Sequence, residues 1–342
     1  MSVLHLLGTS GEGGAETYFV DLVTALARSG VPEAAAIRRH PAREAALKVA
    51  GVPVKVLGFG GPLDILTRTA AAGWAQVNGT KLALAWMNRA ARHTPKGPWA
   101  RIGRLGGYYS LKYYKGFDHL VANTEDIAEW VVGQGWPAGK VTHIPNFAPA
   151  PQDGAALPRA SLGTPDGVPL LLSMGRLHEA KAHDVTLTAL TRLPDAHLWI
   201  AGAGPLGAKL KGIAQALGVA ERVRFLGWRT DASALYRAAD VCVFPSRFEP
   251  LGNVVIQAWA HGLPVVAAAS QGPAALIEDG EDGLLVPVDD ADALAAAVRR
   301  VLDEPILRIR MVQTGAARVE AEFSQAAVVA RWQALFADYG AA

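Results

Sequence analysis

The sequence has a single cysteine in 342 residues, Cys242, which excludes a disulfide framework and any cysteine-built zinc site. Set in the apolar run VCVF, this thiol reads as a core group, and a reducing compartment follows. A basic segment, a long apolar core and a cleavage site are all missing from the opening MSVLHLLG, so no signal peptide is read and a cytoplasmic protein is expected. Uninterrupted membrane spans are missing too. Residues 250–277 carry no charge, but Asn253, Gln257, His261, Gly262, Pro264, Gly272 and Pro273 break them into a helix, a turn and a strand. Finally, acid is missing altogether between Asp64 and Asp118, a stretch that holds nine Lys and Arg.

What is present is a globular composition, 51% hydrophobic and 19% charged, long enough for two domains. The 36 glycines and 21 prolines follow no period and mark many tight turns between regular elements. Net charge is only +2, yet residues 1–150 carry 16 Lys and Arg against 10 Asp and Glu, while 151–342 carry 17 against 21. The positive excess sits in the acid-free stretch, where Arg89, Arg92, Arg101 and Arg104 are interleaved with aromatics such as Tyr108. That mixture suits an anionic membrane surface or a phosphorylated or glycolipid acceptor; the alternative is a solvated basic face over core aromatics. Nucleic acid is not expected, because no recognition motif accompanies the charge.

Along the chain a strand-then-helix rhythm repeats. Val3–Leu7 leads into GTSGEGGAE and then into a helical pattern with Phe19, Leu22, Val23 and Leu26 on one face. In the second half, apolar runs at 168–174, 197–201, 223–226, 241–244, 264–268 and 284–286 are each separated by a helix-length segment. This predicts an α/β protein of two doubly wound parallel-sheet domains facing a cleft. The boundaries are 1–150, 151–322 and a closing helix in 323–342, with 148–168 as the linker.

In such sheets ligands bind beyond the carboxyl ends of the strands. Four loops there carry possible chemistry. Gly11–Gly14 opens a helix with a glycine turn that can approach an anion, or is an ordinary turn. MGRLHEAKAHD places Arg176 at a strand end and Lys181 five residues on, either as a diphosphate clamp or in a surface ion pair with Glu179. AGAGP, with Gly204, is another tight strand-to-helix turn. PSRFEPLGN puts Glu249 just before a helix, where the free N–H groups of Leu251, Gly252 and Asn253 attract negative charge and where Glu249 could equally be a cap. Asp290 and Asp292 match a metal-binding DxD pattern, but N-capping of the following helix explains them better, and no metal is expected.

Taken in order, GGAE, VANT, IPN, GRLHEAK, IAGAGP, VRFLG, ADVCVFPSRFEPLGNVVIQAWAHGLPVVA and EDGEDGLLVP resemble the retaining, nucleotide-sugar-dependent glycosyltransferases of family 4, which have the GT-B fold. The resemblance implies transfer of a sugar from a nucleoside diphosphate, as donor substrate and without a cofactor, to a glycan or lipid-linked glycan. Lipopolysaccharide core or surface polysaccharide synthesis is the expected setting, at the inner face of the cytoplasmic membrane. It implies that Arg176 and Lys181 neutralise the departing diphosphate and that Gly13 or Gly14 approaches the donor phosphate. Glu249 would contact the transferred sugar, the backbone around Gly227 and Trp228 would select the base, and Gln257 would stand where the family usually has a glutamate holding the ribose. An amide there predicts several-fold weaker donor binding. Ala182 replaces the usual glycine after the lysine. The N-domain histidine of many relatives is missing; Arg104, Gly106 or Gly107 falls in its place, and His93 lies upstream. Two alternatives follow from these departures: a non-catalytic sugar-nucleotide-binding subunit, and a GT-B epimerase or phosphorylase.

Overall fold

A computed structural model describes residues 2–11, 13–61 and 63–341; Glu12, within the Gly11–Gly14 loop, lies outside them. The chain forms two compact units, Met1–Phe147 with Gln325–Ala342, and Ala148–Ser324.

The first unit is a parallel sheet of β1 (Ser2–Leu7), β2 (Glu33–Ile37), β3 (Val54–Val56), β4 (Thr80–Trp86), β5 (Ala100–Leu105), β6 (His119–Ala122) and β7 (Val141–His143). Its order is β3-β2-β1-β4-β5-β6-β7, so the winding reverses between β1 and β4. Every residue of β1 is buried, as a strand covered on both faces requires. The helices are α1 (Gly14–Arg28), α2 (Pro41–Val49), α3 (Ile65–Val77), α4 (Met87–His93) and α5 (Glu125–Gly133). Phe19, Leu22, Val23 and Leu26 form the buried face of α1, and the closing helix of the chain, Gln325–Asp338, packs Val328, Trp332 and Phe336 into the same core.

Loss of hydration raises the half-buried Asp21 carboxyl of α1 to about 6. The folded state therefore binds more protons than the unfolded chain between about pH 4 and 6, and stability falls as pH rises through that window. Asp21→Asn is expected to stabilise the protein by about 1–2 kcal/mol at pH 7 and by nothing at pH 4, a difference that thermal melts at the two pH values would read.

The second unit is a parallel sheet of β8 (Leu170–Met174), β9 (His197–Ala201), β10 (Val223–Gly227), β11 (Val241–Phe244), β12 (Val265–Ala268) and β13 (Leu284–Val286), in the order β10-β9-β8-β11-β12-β13. All six apolar runs of the second half are strands. Around them lie α6 (His183–Leu190), α7 (Gly207–Ala216), α8 (Ala232–Ala238), α9 (Asn253–Ala260), α10 (Gln271–Leu276), α11 (Ala291–Asp303) and α12 (Pro305–Arg318), with α13 the closing helix already described. Cys242 is fully buried in β11, where loss of hydration pushes its thiol up to about 12. Residues 250–277 contain α9, a turn and β12, and no helix among the described residues is long and apolar enough to cross a membrane. Asp290 caps α11 by accepting from the Ala293 N–H at 2.8 Å, while Asp292 pairs with Arg192.

In this sheet the winding reverses between β8 and β11. A crevice must open outside the carboxyl ends of those two strands, because their crossover helices leave in opposite directions. The loop after β8 carries Arg176 and Lys181; the loop after β11 carries Glu249.

Candidate active site

The strand-end turns of the second unit are joined by backbone. Gly175 donates to Ala201 at 3.0 Å, Leu177 to Ala203 at 3.1 Å, Leu206 to Leu177 at 3.1 Å, and Gly202 to Gly227 at 2.8 Å. Such closeness excludes side chains. A Cβ on Gly202 (φ +152°) would lie 1.9 Å from the Gly175 carbonyl oxygen, and one on Gly204 would lie 2.5 Å from that of Leu177. The β11 loop joins the same network: Arg247 N–H donates to the Ala180 carbonyl at 2.9 Å, and its guanidinium grips Asp184 of α6 at 2.6 Å. Gly272, opening α10, donates to the Glu249 carbonyl at 2.7 Å.

Within this frame Lys181 donates its ammonium to Glu249 Oε2 and lies over the Phe244 ring, 5.4 Å from its centroid. The other carboxylate oxygen of Glu249 accepts from the Gly252 N–H at 3.3 Å, so the residue is both the partner of Lys181 and the side chain at the start of α9. Both side chains are largely enclosed, 24% and 13% exposed. Arg176 differs. It is exposed, and among the described residues it forms no ion pair, with Glu179 or any other carboxylate. An ammonium held by Glu249, an exposed guanidinium with no ion pair among the described residues, and the amino end of α9 therefore all belong to the loops at the switch point, where they favour an anion.

Ala182 holds a left-handed conformation (φ +50°) and is fully buried. The replacement of glycine there carries about 1 kcal/mol of strain, more than its small size suggests. Beneath the turn, His183 Nδ1 meets Ser173 Oγ at 3.0 Å, and burial pushes the ring down to about 4, so it stays neutral.

Gln257 is half-buried, and its side-chain oxygen accepts from the Tyr236 hydroxyl at 3.0 Å. That engagement leaves the amide NH₂, a donor, as the side chain's main remaining group. Two aromatics stand out on this edge of the unit. Trp228, following Gly227 (φ +66°), is 72% exposed, and Phe248, beside Glu249, is 50% exposed. Sequence reading missed Phe248; its signal was an aromatic between the cation Arg247 and Glu249 in a strand-end loop.

In the first unit Gly13 precedes α1 in extended geometry (φ 178°), and the helix begins at Gly14. Arg43 of α2, which sequence reading missed, fixes this loop by donating to the carbonyls of Thr9 (2.9 Å) and Gly11 (3.0 Å). Arg104 requires a correction. Placed by sequence among the exposed basic groups, it is only 2% exposed, bonded to Asn146 and enclosed between the Tyr18 and Trp86 rings at 5.0 and 4.8 Å. Aromatic faces stabilise a guanidinium there without a carboxylate. His93 is likewise buried, against Phe59 and the Gly60 carbonyl. Tyr108 is exposed, but its hydroxyl donates to Asp126 of α5, and dehydration with that carboxylate pushes the phenol up to about 12. Arg89 is exposed, with its stem packed against Gly8, and does not line the basic hollow that Arg92 and Arg101 share.

Two doubly wound parallel sheets, with cations and a helix start gathered at a switch point, define the GT-B class of glycosyltransferase. Residues 168–304 match the family described as Glycosyl transferases group 1. Over 337 residues the chain is 37% identical to the lipopolysaccharide core biosynthesis glycosyltransferase LpsE of Rhizobium meliloti (strain 1021), covering 96% of each chain. It is 35% identical to the corresponding LpsD of the same organism, over 100% of this chain and 99% of that one. Among solved structures, Anabaena Alr3699/HepE in complex with UDP superposes with a TM-score of 0.85 at 20% identity, covering 99% of this chain and 100% of that one. The chain belongs to the group 1 glycosyltransferases and is a glycosyltransferase.

Proposed function

We propose that the chain transfers a sugar, with retention at the anomeric carbon, from a uridine diphosphate sugar to a lipid-borne lipopolysaccharide core glycan, at the cytoplasmic face of a membrane. The pairing of Lys181 with Glu249, with Arg176 in the same strand-end loop as Lys181 and in no ion pair among the described residues, carries the reading. The transition state of such a transfer resembles an oxocarbenium ion leaving a diphosphate, so charge must be ready where the diphosphate departs. Arg176 and Lys181 supply it as a bidentate fork and a fixed ammonium, and the N–H groups from Leu251 to Asn253 add the positive end of α9. These groups meet the demand with no cofactor. Glu249, once Lys181 turns to phosphate, has a carboxylate oxygen to offer the hydroxyls of the transferred sugar. Trp228 and Phe248 offer faces for the base, Gly204 and Gly227 close backbone approach. The core-glycan acceptor is supported by the names of the two relatives, and UDP by the ligand of the Anabaena protein.

Calorimetry with UDP, GDP and ADP and their glucose, galactose and mannose derivatives tests the donor half. One nucleotide sugar should bind wild type, and Arg176→Ala should weaken it about tenfold or more. Absence of binding by all of them overturns the reading. Gln257→Glu is a second test. A carboxylate beside Tyr236 restores a strong acceptor toward the ribose, and nucleotide affinity is expected to rise several-fold, by about 1 kcal/mol, in the same assay.

A further inference from the structure

On the flank of the first unit, and sharing no residue with the groups just assigned, lies an open hollow of about 610 Å³ lined by Arg68, Arg92, Lys96, Arg101, Lys112 and Lys115. No carboxylate lines it, and among the described residues none of these six cations forms an ion pair. The nearest acid in sequence, Asp118, accepts from the backbone N–H of Arg101 at 2.8 Å and not from its side chain. Arg101 is the second residue of β5 and Phe117 precedes β6, so the hollow extends toward the amino ends of these strands, the edge opposite the carboxyl-end turns.

The guanidinium groups are already positioned. Arg68 donates to the Arg92 carbonyl at 2.9 and 3.1 Å. Arg92 stacks on Tyr113 at 4.8 Å and donates to its hydroxyl at 3.0 Å, and Arg101 stacks on Phe117 at 5.1 Å while bonding the Gly116 carbonyl. Each contact uses only one or two of the five N–H donors that a guanidinium carries, leaving the rest for a ligand. Six like charges in one hollow repel one another, and a concave surface focuses their field on whatever anion enters. Immediately beside them is apolar surface. Ile65, Arg68, Thr69 and Ala72 follow one another on a single face of α3, and Leu63, Ile65 and Leu66 are 91%, 69% and 83% exposed. An exposed helix start, apolar but for its capping Asp64, beside a cluster of cations matches a ligand that is anionic at its head and greasy at its base.

We propose that this hollow is a second anion site, separate from the transfer site, that takes phosphate groups of the lipid-borne acceptor while the start of α3 enters the lipid around it. The proposal rests on the reading that the acceptor is lipid-borne. Arg68, Arg92 and Arg101 hold the phosphate oxygens by forked hydrogen bonds, and Lys96, Lys112 and Lys115 add mobile charge at the rim.

Two soluble and membrane probes separate the sources of phosphate: pyrophosphate by calorimetry, and phosphatidylcholine vesicles with or without phosphatidic acid by sedimentation. The full chain is compared with Arg68→Glu/Lys112→Glu, with Lys96→Glu/Lys115→Glu, whose side chains make no hydrogen bond among the described residues, with Leu66→Gln, and with Arg39→Glu/Lys48→Glu as a charge-matched control elsewhere on the unit. The hollow variants are expected to lose about tenfold or more in affinity for both pyrophosphate and the acidic vesicles. Leu66→Gln should lose vesicles only, and the control should lose neither. Wild-type binding by both hollow variants, or an equal loss in the control, overturns the proposal. Pyrophosphate binding that depends on the hollow, with vesicle binding that depends on neither the hollow nor Leu66, overturns the lipid assignment. Nucleotide binding, measured alongside, should be the same in wild type and hollow variants; its failure in wild type would sink the donor reading and leave the hollow standing.

Discussion

Lys181→Ala is expected to lower kcat by about two to three orders of magnitude, the usual consequence of removing one preorganised group from a developing anion. The magnitude follows from how the lysine is held. Its stem packs 3.4 Å from the position a Cβ would take on Gly175, the Phe244 ring lies under the ammonium, and Glu249 fixes its direction. Arg176 cannot take over, because it is exposed and, among the described residues, no hydrogen bond or ion pair holds its guanidinium in advance of the diphosphate. The substitution also strands Glu249, which is 13% exposed and keeps only the 3.3 Å contact from Gly252. Lys181→Arg should not restore the rate, since a longer planar fork does not fit a compact ammonium's place. The measurement is single-turnover transfer with the donor identified by calorimetry; a kcat within threefold of wild type would remove Lys181 from the leaving-group role.

The largest effect on the fold is expected at Gly202. A methyl there would sit 1.9 Å from a carbonyl oxygen, at a φ of +152° that side chains rarely adopt. Neither the flexible tip of a side chain nor solvent can yield, because the obstacle is the Gly175 backbone. Gly202→Ala should therefore cost about 3 kcal/mol or more and lower the thermal midpoint by about 10 °C. Gly212→Ala, in the interior of α7 with nothing within 4 Å, should leave the midpoint equal or slightly higher, since alanine is the better helix former. A melt in which the two variants behave alike would contradict the close approach of the two turns.

How much of this was legible in the sequence depends on how each strand is covered. The six strands of the second unit are short, continuous apolar runs, the pattern that burial on both faces imposes. In the first unit β1 alone stood out. β3 reads Val-Lys-Val and β7 Val-Thr-His, edge strands only partly covered, and β2 is built on three alanines too small to signal a core. Arg176, Lys181 and Glu249 were visible as charges in loops after strands. That Lys181 faces Glu249, 68 residues away, was not visible, because only the β8–β11 adjacency brings them together. Arg104 misled for a related reason: a cation in an acid-free basic stretch reads as surface, and the rings that enclose it come from α1 and β4. The basic hollow was half legible. All six of its cations fall in the acid-free stretch, but that these six gather in one hollow follows only from the packing of α3 and the turn at Leu111–Tyr113 against α4.

The backbone bonds among the turns at Gly175, Gly202 and Gly227 have a consequence for how this edge of the molecule opens. Amides that hold one another cannot exchange independently, since freeing Gly202 from Gly227 also removes the support of Ala201 for Gly175. Hydrogen exchange at Gly175, Leu177, Gly202 and Leu206 should thus proceed as a single cooperative opening. A ligand that touches only Arg176 would slow all four together, and would steady Trp228 at the far end of the same chain of bonds.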